Sequence, residues 1–193
     1  MANSNAPYGL RPVRHLTGGL VRPSEAFSIA SGYGTAMAVG DLVAKSGLGT
    51  NIVIGVNGVA GAKAIGVFAG CKYNDTLGNI LYRTIWPAGQ VTNGAVDAVA
   101  LVYDDPNIVF RVRASGAVAK TDVGQFADYT IGVPNLALGF SQGKLNSPGI
   151  AGVLSNLKII NLLNVVGNDY GNFTEVEVLL SFHEYGFQNI AAS

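Results

Sequence analysis

The stretch Val96 to Arg113, VDAVALVYDDPNIVFRVR, constrains the fold more than any other part of the chain. In its second half, Ile108, Phe110 and Val112 fall on one face, while Val109, Arg111 and Arg113 fall on the other. That period of two is the mark of a half-buried strand. In the first half, Val96, Ala98, Ala100 and Val102 alternate with Asp97, Val99, Leu101 and Tyr103. Only Asp97 is charged, so this strand is expected to be covered on both faces. Between the runs lies Asp104-Asp105-Pro106-Asn107. Proline presets φ at the second turn position and an Asx side chain bonds back to the backbone, which favours a tight turn. The pair is therefore predicted to be a β-hairpin near the middle of an all-β domain.

The flanking sequence has the same character. Phe27–Ala30, 39–43, 52–56 and 64–69 are short strand candidates separated by glycine turns, Asn57-Gly58 being the strongest turn dipeptide. The Gly-rich segment 55–61 lacks the Gly-Lys-Ser/Thr ending of a phosphate loop. Ile80–Ile85 is predicted as a strand, leading into Trp86-Pro87. Thr121–Phe126 suits a brief helix capped by Thr121 or Asp122. Asp128–Val133 is a further strand candidate, and 134–149 is expected to be a loop. Phe173–Phe182 shows the clearest alternation: Val176, Val178, Leu180 and Phe182 oppose Glu175, Glu177, Leu179 and Ser181. It is expected to pair antiparallel with Leu157–Val166. So many short strands with little helix favour a single-domain antiparallel sandwich or partly open barrel over 25–193. Residues 1–24 carry Pro7, Pro12 and Pro23 with three arginines and no acid, and are predicted to form an extended N-terminal arm.

Composition narrows the function. Only 12% of the 193 residues are charged, while glycine numbers 26. Twelve basic and twelve acidic residues cancel, so no global field draws nucleic acid. Mean hydropathy is +0.33, yet no run approaches the ~18 apolar residues of a membrane helix, and the N-terminus lacks the apolar core of a secretory signal. A soluble chain this apolar is expected to bury its exterior against copies of itself or a partner. The residues assigned to such an interface are Tyr8, Leu10, Arg11, Val13 and Arg14 of the arm, together with Trp86, a core or interface anchor.

Catalytic ingredients are sparse. His15 and His183 are the two histidines, Cys71 is the one cysteine, and no Gly-x-Ser-x-Gly elbow frames a serine. No cofactor, metal or catalytic residue is predicted. Cys71 is expected to be inert, His183 to be a surface or interface residue, and Asp104 and Asp105 to serve the turn. Arg111 and Arg113 are expected to form a solvated or salt-bridged ridge.

An ordered set of short motifs carries a resemblance. Asn5–Leu16 (NAPYGLRPVRHL), Ile65–Cys71 (IGVFAGC), Trp86–Gly89 (WPAG) and Tyr103–Asn107 (YDDPN) come first. Asp122–Gln125 (DVGQ) through Ala127–Tyr129 (ADY), then Val176–Leu179 (VEVL) through His183–Tyr185 (HEY), complete the series. In that order they resemble a family of tailed-bacteriophage virion proteins. The resemblance implies a decoration or cement protein on the outer surface of the capsid, assembled in the host cytoplasm. Its implied partners are the major capsid protein and itself, a trimer matching local three-fold positions. It implies no catalytic residues. The alternative is a tail- or fibre-associated module that binds a host-surface glycan through Trp86 or Tyr103. The arm is expected to fasten the protein to its neighbours, so that deleting residues 1–16 leaves a folded domain.

Overall fold

The computed structural model describes residues 3–47, 49–55 and 63–186. The strands are β1 (Arg11–His15), β2 (Ser24–Ile29), β3 (Met37–Ala38), β4 (Leu42–Lys45), β5 (Ile52–Ile54) and β6 (Gly66–Asn74). Next come β7 (Ile80–Arg83), β8 (Ile85–Trp86), β9 (Ala98–Tyr103), β10 (Ile108–Arg113), β11 (Ala117–Val118) and β12 (Phe126–Ala127). The last are β13 (Tyr129–Thr130), β14 (Lys144–Leu145), β15 (Leu157–Leu162), β16 (Gly171–Asn172) and β17 (Glu175–Leu180). The turn expected at Asn57-Gly58 lies outside the described residues.

Two sheets organise the molecule, and both antiparallel architectures expected from the sequence are represented. One is five-stranded, in the order β1-β10-β17-β15-β12. Its inner face carries Phe110, Val112, Val176, Val178, Leu157 and Ile159, all fully buried. The other runs β2-β9-β6-β4-β5, with β7 added to the second half of β6. This sheet curls until it nearly meets itself: Ser28 pairs with Asn51 in parallel, and the Ser28 N–H donates to the Thr50 carbonyl at 3.0 Å. The small barrel that results has its own core around Phe27, Ile29, Val43, Phe68 and Ala100, to which the β3/β8 ribbon contributes Met37 and Trp86.

The core of the barrel and the core under the five-stranded sheet share strands by alternation. On β4, Leu42 packs in the sheet's core and Val43 in the barrel's; on β6, Val67 and Phe68 divide the same way. Successive side chains of a strand point to opposite faces, so a strand at the junction is apolar on both. The outer face of β9 is half-buried rather than fully covered, with Val99, Leu101 and Tyr103 opposite the buried Ala98, Ala100 and Val102.

The central hairpin is corrected. The Asp104–Asn107 turn exists, with the Asn107 N–H donating to the Asp105 carboxylate at 2.8 Å. The strands beside it do not pair. β9 is flanked by β2 and β6, and β10 by β1 and β17, so both edges of each strand are already occupied. The turn is instead a corner that carries the chain from the barrel to the open sheet. A second connection, 16–23, makes the same crossing, because β1 pairs β10 while β2 pairs β9. His15 fastens the corner: its Nδ1 accepts the N–H groups of Thr17 and Gly19, and its Nε2–H donates to Asp105 at 3.0 Å. Burial raises the Asp105 carboxyl, and the bonds from Asn107 and His15 more than reverse that, leaving it below its ordinary value.

Other sequence expectations are refined. Thr121–Phe126 does not form a helix of its own; a single 3-10 turn, Lys120–Asp122, ends before Gly124, and the Asp122 carboxylate accepts the Ala119 N–H. The 134–149 segment contains β14 and buries Ser141 and Leu145. β15 and β17 pair antiparallel, with a register irregularity between Ile159 and Asn161.

Candidate partner interface

The N-terminal residues assigned to a partner are largely engaged by their own chain. Gly9 lets this happen. With φ at +76°, it passes so close to the β3–β4 turn that a Cβ would stand 2.6 Å from the Gly40 carbonyl oxygen. The Leu10 N–H donates to that carbonyl at 2.9 Å, and Leu10 enters the sheet's core completely. Beside this crossing is a buried polar cluster. Tyr129 donates its hydroxyl to the Gly40 carbonyl at 3.0 Å, Ser141 accepts the Gly143 N–H at 2.8 Å, and Asp41 accepts the Ala38 N–H at 2.8 Å. Gly143 lies against the Tyr129 hydroxyl with no room for a Cβ. Burial pushes the Asp41 carboxyl up, against the bonds from Ser141 and Ala38. No sequence pattern marks this cluster, because its members come from three separate segments.

On the outer face of the open sheet, Tyr8 lies under two guanidinium groups. Arg111 and Arg113 stand 5.4 and 5.7 Å from its ring centroid, and its hydroxyl donates to Glu175 at 2.7 Å. Burial and the Glu175 carboxylate raise the phenol well above its ordinary value. Arg113 also pairs with Glu175, and Arg14 with Glu177 at 2.9 Å. Register sets Arg11 opposite Arg111. The like charges part because Arg11 turns over the Phe140 ring at 5.8 Å while Arg111 covers Tyr8. The expected basic ridge is thus a salt-bridged cap that holds the arm down.

Two expected interface residues are corrected outright. Leu10 and Trp86 are both fully buried in the protein's own interior, where no partner reaches them. Trp86 donates its indole N–H to the Tyr33 carbonyl at 3.2 Å and meets Tyr73 edge-on at 5.5 Å. Tyr103, half-buried, packs at a steep angle against Phe110, with ring centroids 6.5 Å apart. Val13, bulged out of β1 and 40% exposed, is the one apolar residue of the assigned set that faces solvent.

His183 is buried rather than at the surface; its Nδ1 accepts the Tyr185 N–H at 3.1 Å, which places the proton on Nε2. Ser181 and His183 line one cavity. Burial drives the His183 imidazole down to about 4, while Asp105 and Glu184 act in the opposite sense. The Cys71 thiol is buried and pushed up to about 12. Among the described residues, no cluster of three His, Cys, Asp or Glu side chains is placed to hold a metal ion, and no helix is long and apolar enough to cross a membrane.

Several large apolar side chains face outward. Leu77, Ile80 and Tyr82 are exposed on the β6–β7 hairpin, and Val133, Leu136 and Leu138 on the 133–138 loop. The sequence marked Ile80–Ile85 as a strand but gave no sign that its first half is an edge. No family model, no curated protein and no solved structure matches the chain.

Proposed function

We propose that this protein is a structural component of a tailed-bacteriophage head, decorating and cementing the capsid by bridging neighbouring major capsid protein subunits. The observation that carries the reading is the exposed apolar surface. Leu20, Leu77, Val133, Val153 and Val166 stand in solvent on turns and loops of a rigid, charge-poor β body. Exposed apolar side chains grouped on one short segment, as Leu77, Ile80 and Tyr82 are on the β6–β7 hairpin, mark a surface that another protein covers. The ordered motifs from Asn5 to Tyr185 point to the same class.

The physical role is linkage. A protein that binds the assembled shell, and not its separated subunits, stabilises the shell by mass action. Contacts across a capsomer joint put that stabilisation where outward pressure from packaged DNA acts. Self-association into a trimer matches the local three-fold positions of such a shell. A formal net charge of zero fits an outer location, away from the genome.

Cryo-electron microscopy of the virion tests the reading. The expected result is density for this chain on the outer head surface across subunit joints, with shells lacking it opening at lower temperature. Density on the tail or fibres, or shells of unchanged heat resistance, overturns it.

A further inference from the structure

The six-stranded sheet carries one edge left open. Among the described residues, β7 pairs with β6 alone, Cys71 opposite Arg83 and Asn74 opposite Ile80, and its other side meets no strand. Such an edge presents a row of unpaired N–H and C=O groups, a template for another strand. Proteins blunt this hazard with prolines, bulges and charge. The edge strand β1 does so, with Pro12, a bulge at Val13, and Arg11 and Arg14. β7 has the sequence ILYR, with no proline and no bulge, and leaves Ile80 60% and Tyr82 69% exposed.

We propose that β7 is the edge through which two copies of this chain join, antiparallel about a two-fold axis at Leu81, making one continuous sheet. Three features select the second copy as occupant. An antiparallel pairing about such an axis preserves faces, so a residue meets only a partner of its own parity. Centring on Leu81 sets Ile80 opposite Tyr82 of the other copy, twice, and aromatic–β-branched cross-strand pairs are favourable. The same register sets Arg83 opposite Asn79 of the other copy.

Charge decides between this register and its neighbours. Arg83 has no carboxylate partner among the described residues, while Asp75 holds the turn at the other end of the hairpin. Asp75 Oδ1 accepts the N–H groups of Leu77 and Asn79 at 2.9 and 2.8 Å, and Oδ2 accepts the Asn79 amide at 3.0 Å. Its carboxylate therefore sits against Asn79, beside the place where the other copy's Arg83 arrives. The two-fold makes this ion pair twice. Shifting the centre to Tyr82 puts Arg83 opposite Leu81 and loses both pairs. Lys72, 5.4 Å from the Tyr82 ring centroid, already holds that ring on the exposed face.

The contact is isologous, so it closes on two copies. It goes beyond the virion reading and does not depend on it, because it is tested on the purified chain alone. Sedimentation of the full chain over micromolar to millimolar concentrations is expected to show an even-numbered assembly whose mass halves in Tyr82→Glu. Arg83→Glu is expected to weaken association about tenfold or more and to reverse its salt dependence. Both side chains are exposed, and Trp86 fluorescence reports whether the variants keep the barrel intact.

Cross-linking reads the register directly. Opposed Cα atoms in an antiparallel pair lie ~4.5–5.5 Å apart, within the ~4.4–6.8 Å a disulfide spans. Leu81→Cys is expected to form a dimer in oxidised glutathione many times faster than Ile80→Cys or the exposed control Val133→Cys. A chain whose mass is unchanged by Tyr82→Glu, or a Leu81→Cys variant that links no faster than the control, overturns the proposal. Either result leaves the virion reading standing.

Discussion

Asp41 brings a carboxylate into a site from which water is excluded, held by the Ala38 N–H and set beside Ser141. Burial raises its pKa above the ordinary 3.8, so the folded state holds this proton more tightly than the unfolded chain does. Its stability contribution is therefore full at low pH and is lost as pH rises through the folded-state value. Asp41→Asn keeps an acceptor for Ala38 without the charge, and is expected to match or exceed the wild-type melting temperature at neutral pH. Asp41→Ala leaves the Ala38 N–H unpartnered and is expected to lose about 1–3 kcal/mol in denaturant titrations. His183 has the opposite sense. With its pKa lowered from 6.5 to about 4, it stays neutral in the fold where the unfolded chain is already protonated. Stability is then lost as pH falls from 6.5 towards 4. At ~1.4 kcal/mol per pH unit the loss is on the order of 2–3 kcal/mol. His183→Asn, which retains an acceptor for the Tyr185 N–H, is expected to flatten that acid limb in melts between pH 7 and pH 4.

Among the elements, β1 shows how far sequence reasoning reaches. Arginines and apolar anchors on a proline-stiffened segment describe a docking strand equally well whether the sheet it joins belongs to its own chain or another. Tyr8 meets Glu175, 167 positions away, and nothing local in the sequence announces that pairing. Deleting residues 1–16 removes β1, withdraws Leu10 from the core and strips Phe110 of its neighbouring strand. Losing the Leu10 side chain alone is worth about 2–5 kcal/mol. The truncated chain is expected to melt well below the full chain, and one that melts within a few degrees of it would return β1 to the status of a free arm. Phe110→Ala, opposite Val178 in the sheet's core, is expected to lose about 3–5 kcal/mol. β17 was legible because its two faces see core and water, so Val176, Val178 and Leu180 separate from Glu175, Glu177 and Leu179. The Asp104–Asn107 corner was not legible as a corner, because turn chemistry is the same whether the next strand folds back or crosses to another sheet. The β7 edge escaped for a related reason: alternation reports a strand's faces, not its neighbours.

At the scale of the whole molecule, the two cores are distinct clusters joined by strands that serve both. Val67 and Phe68 are consecutive, yet one packs in each core, as do Leu42 and Val43. Neither core is expected to loosen alone. Trp86, the one tryptophan, reports the barrel, and far-ultraviolet circular dichroism reports both sheets. The two signals are expected to melt together, and Phe68→Ala is expected to lower both by the same amount; separate transitions would mean that the cores are independent units. The corner at Asp104–Asn107 also orders events in time. All the described strands of the barrel lie between Ser24 and Tyr103, so it can close while the rest of the chain is still being synthesised. The open sheet cannot. β1 is made early but has no partner until β10 emerges, and the other edge of β10 must then wait for the central strand β17, far along the chain. Pairing across such sequence separations is slow. During that interval Leu10, Leu42 and Val67 lack the sheet that covers them, and the nascent chain is at its most vulnerable to aggregation and proteolysis.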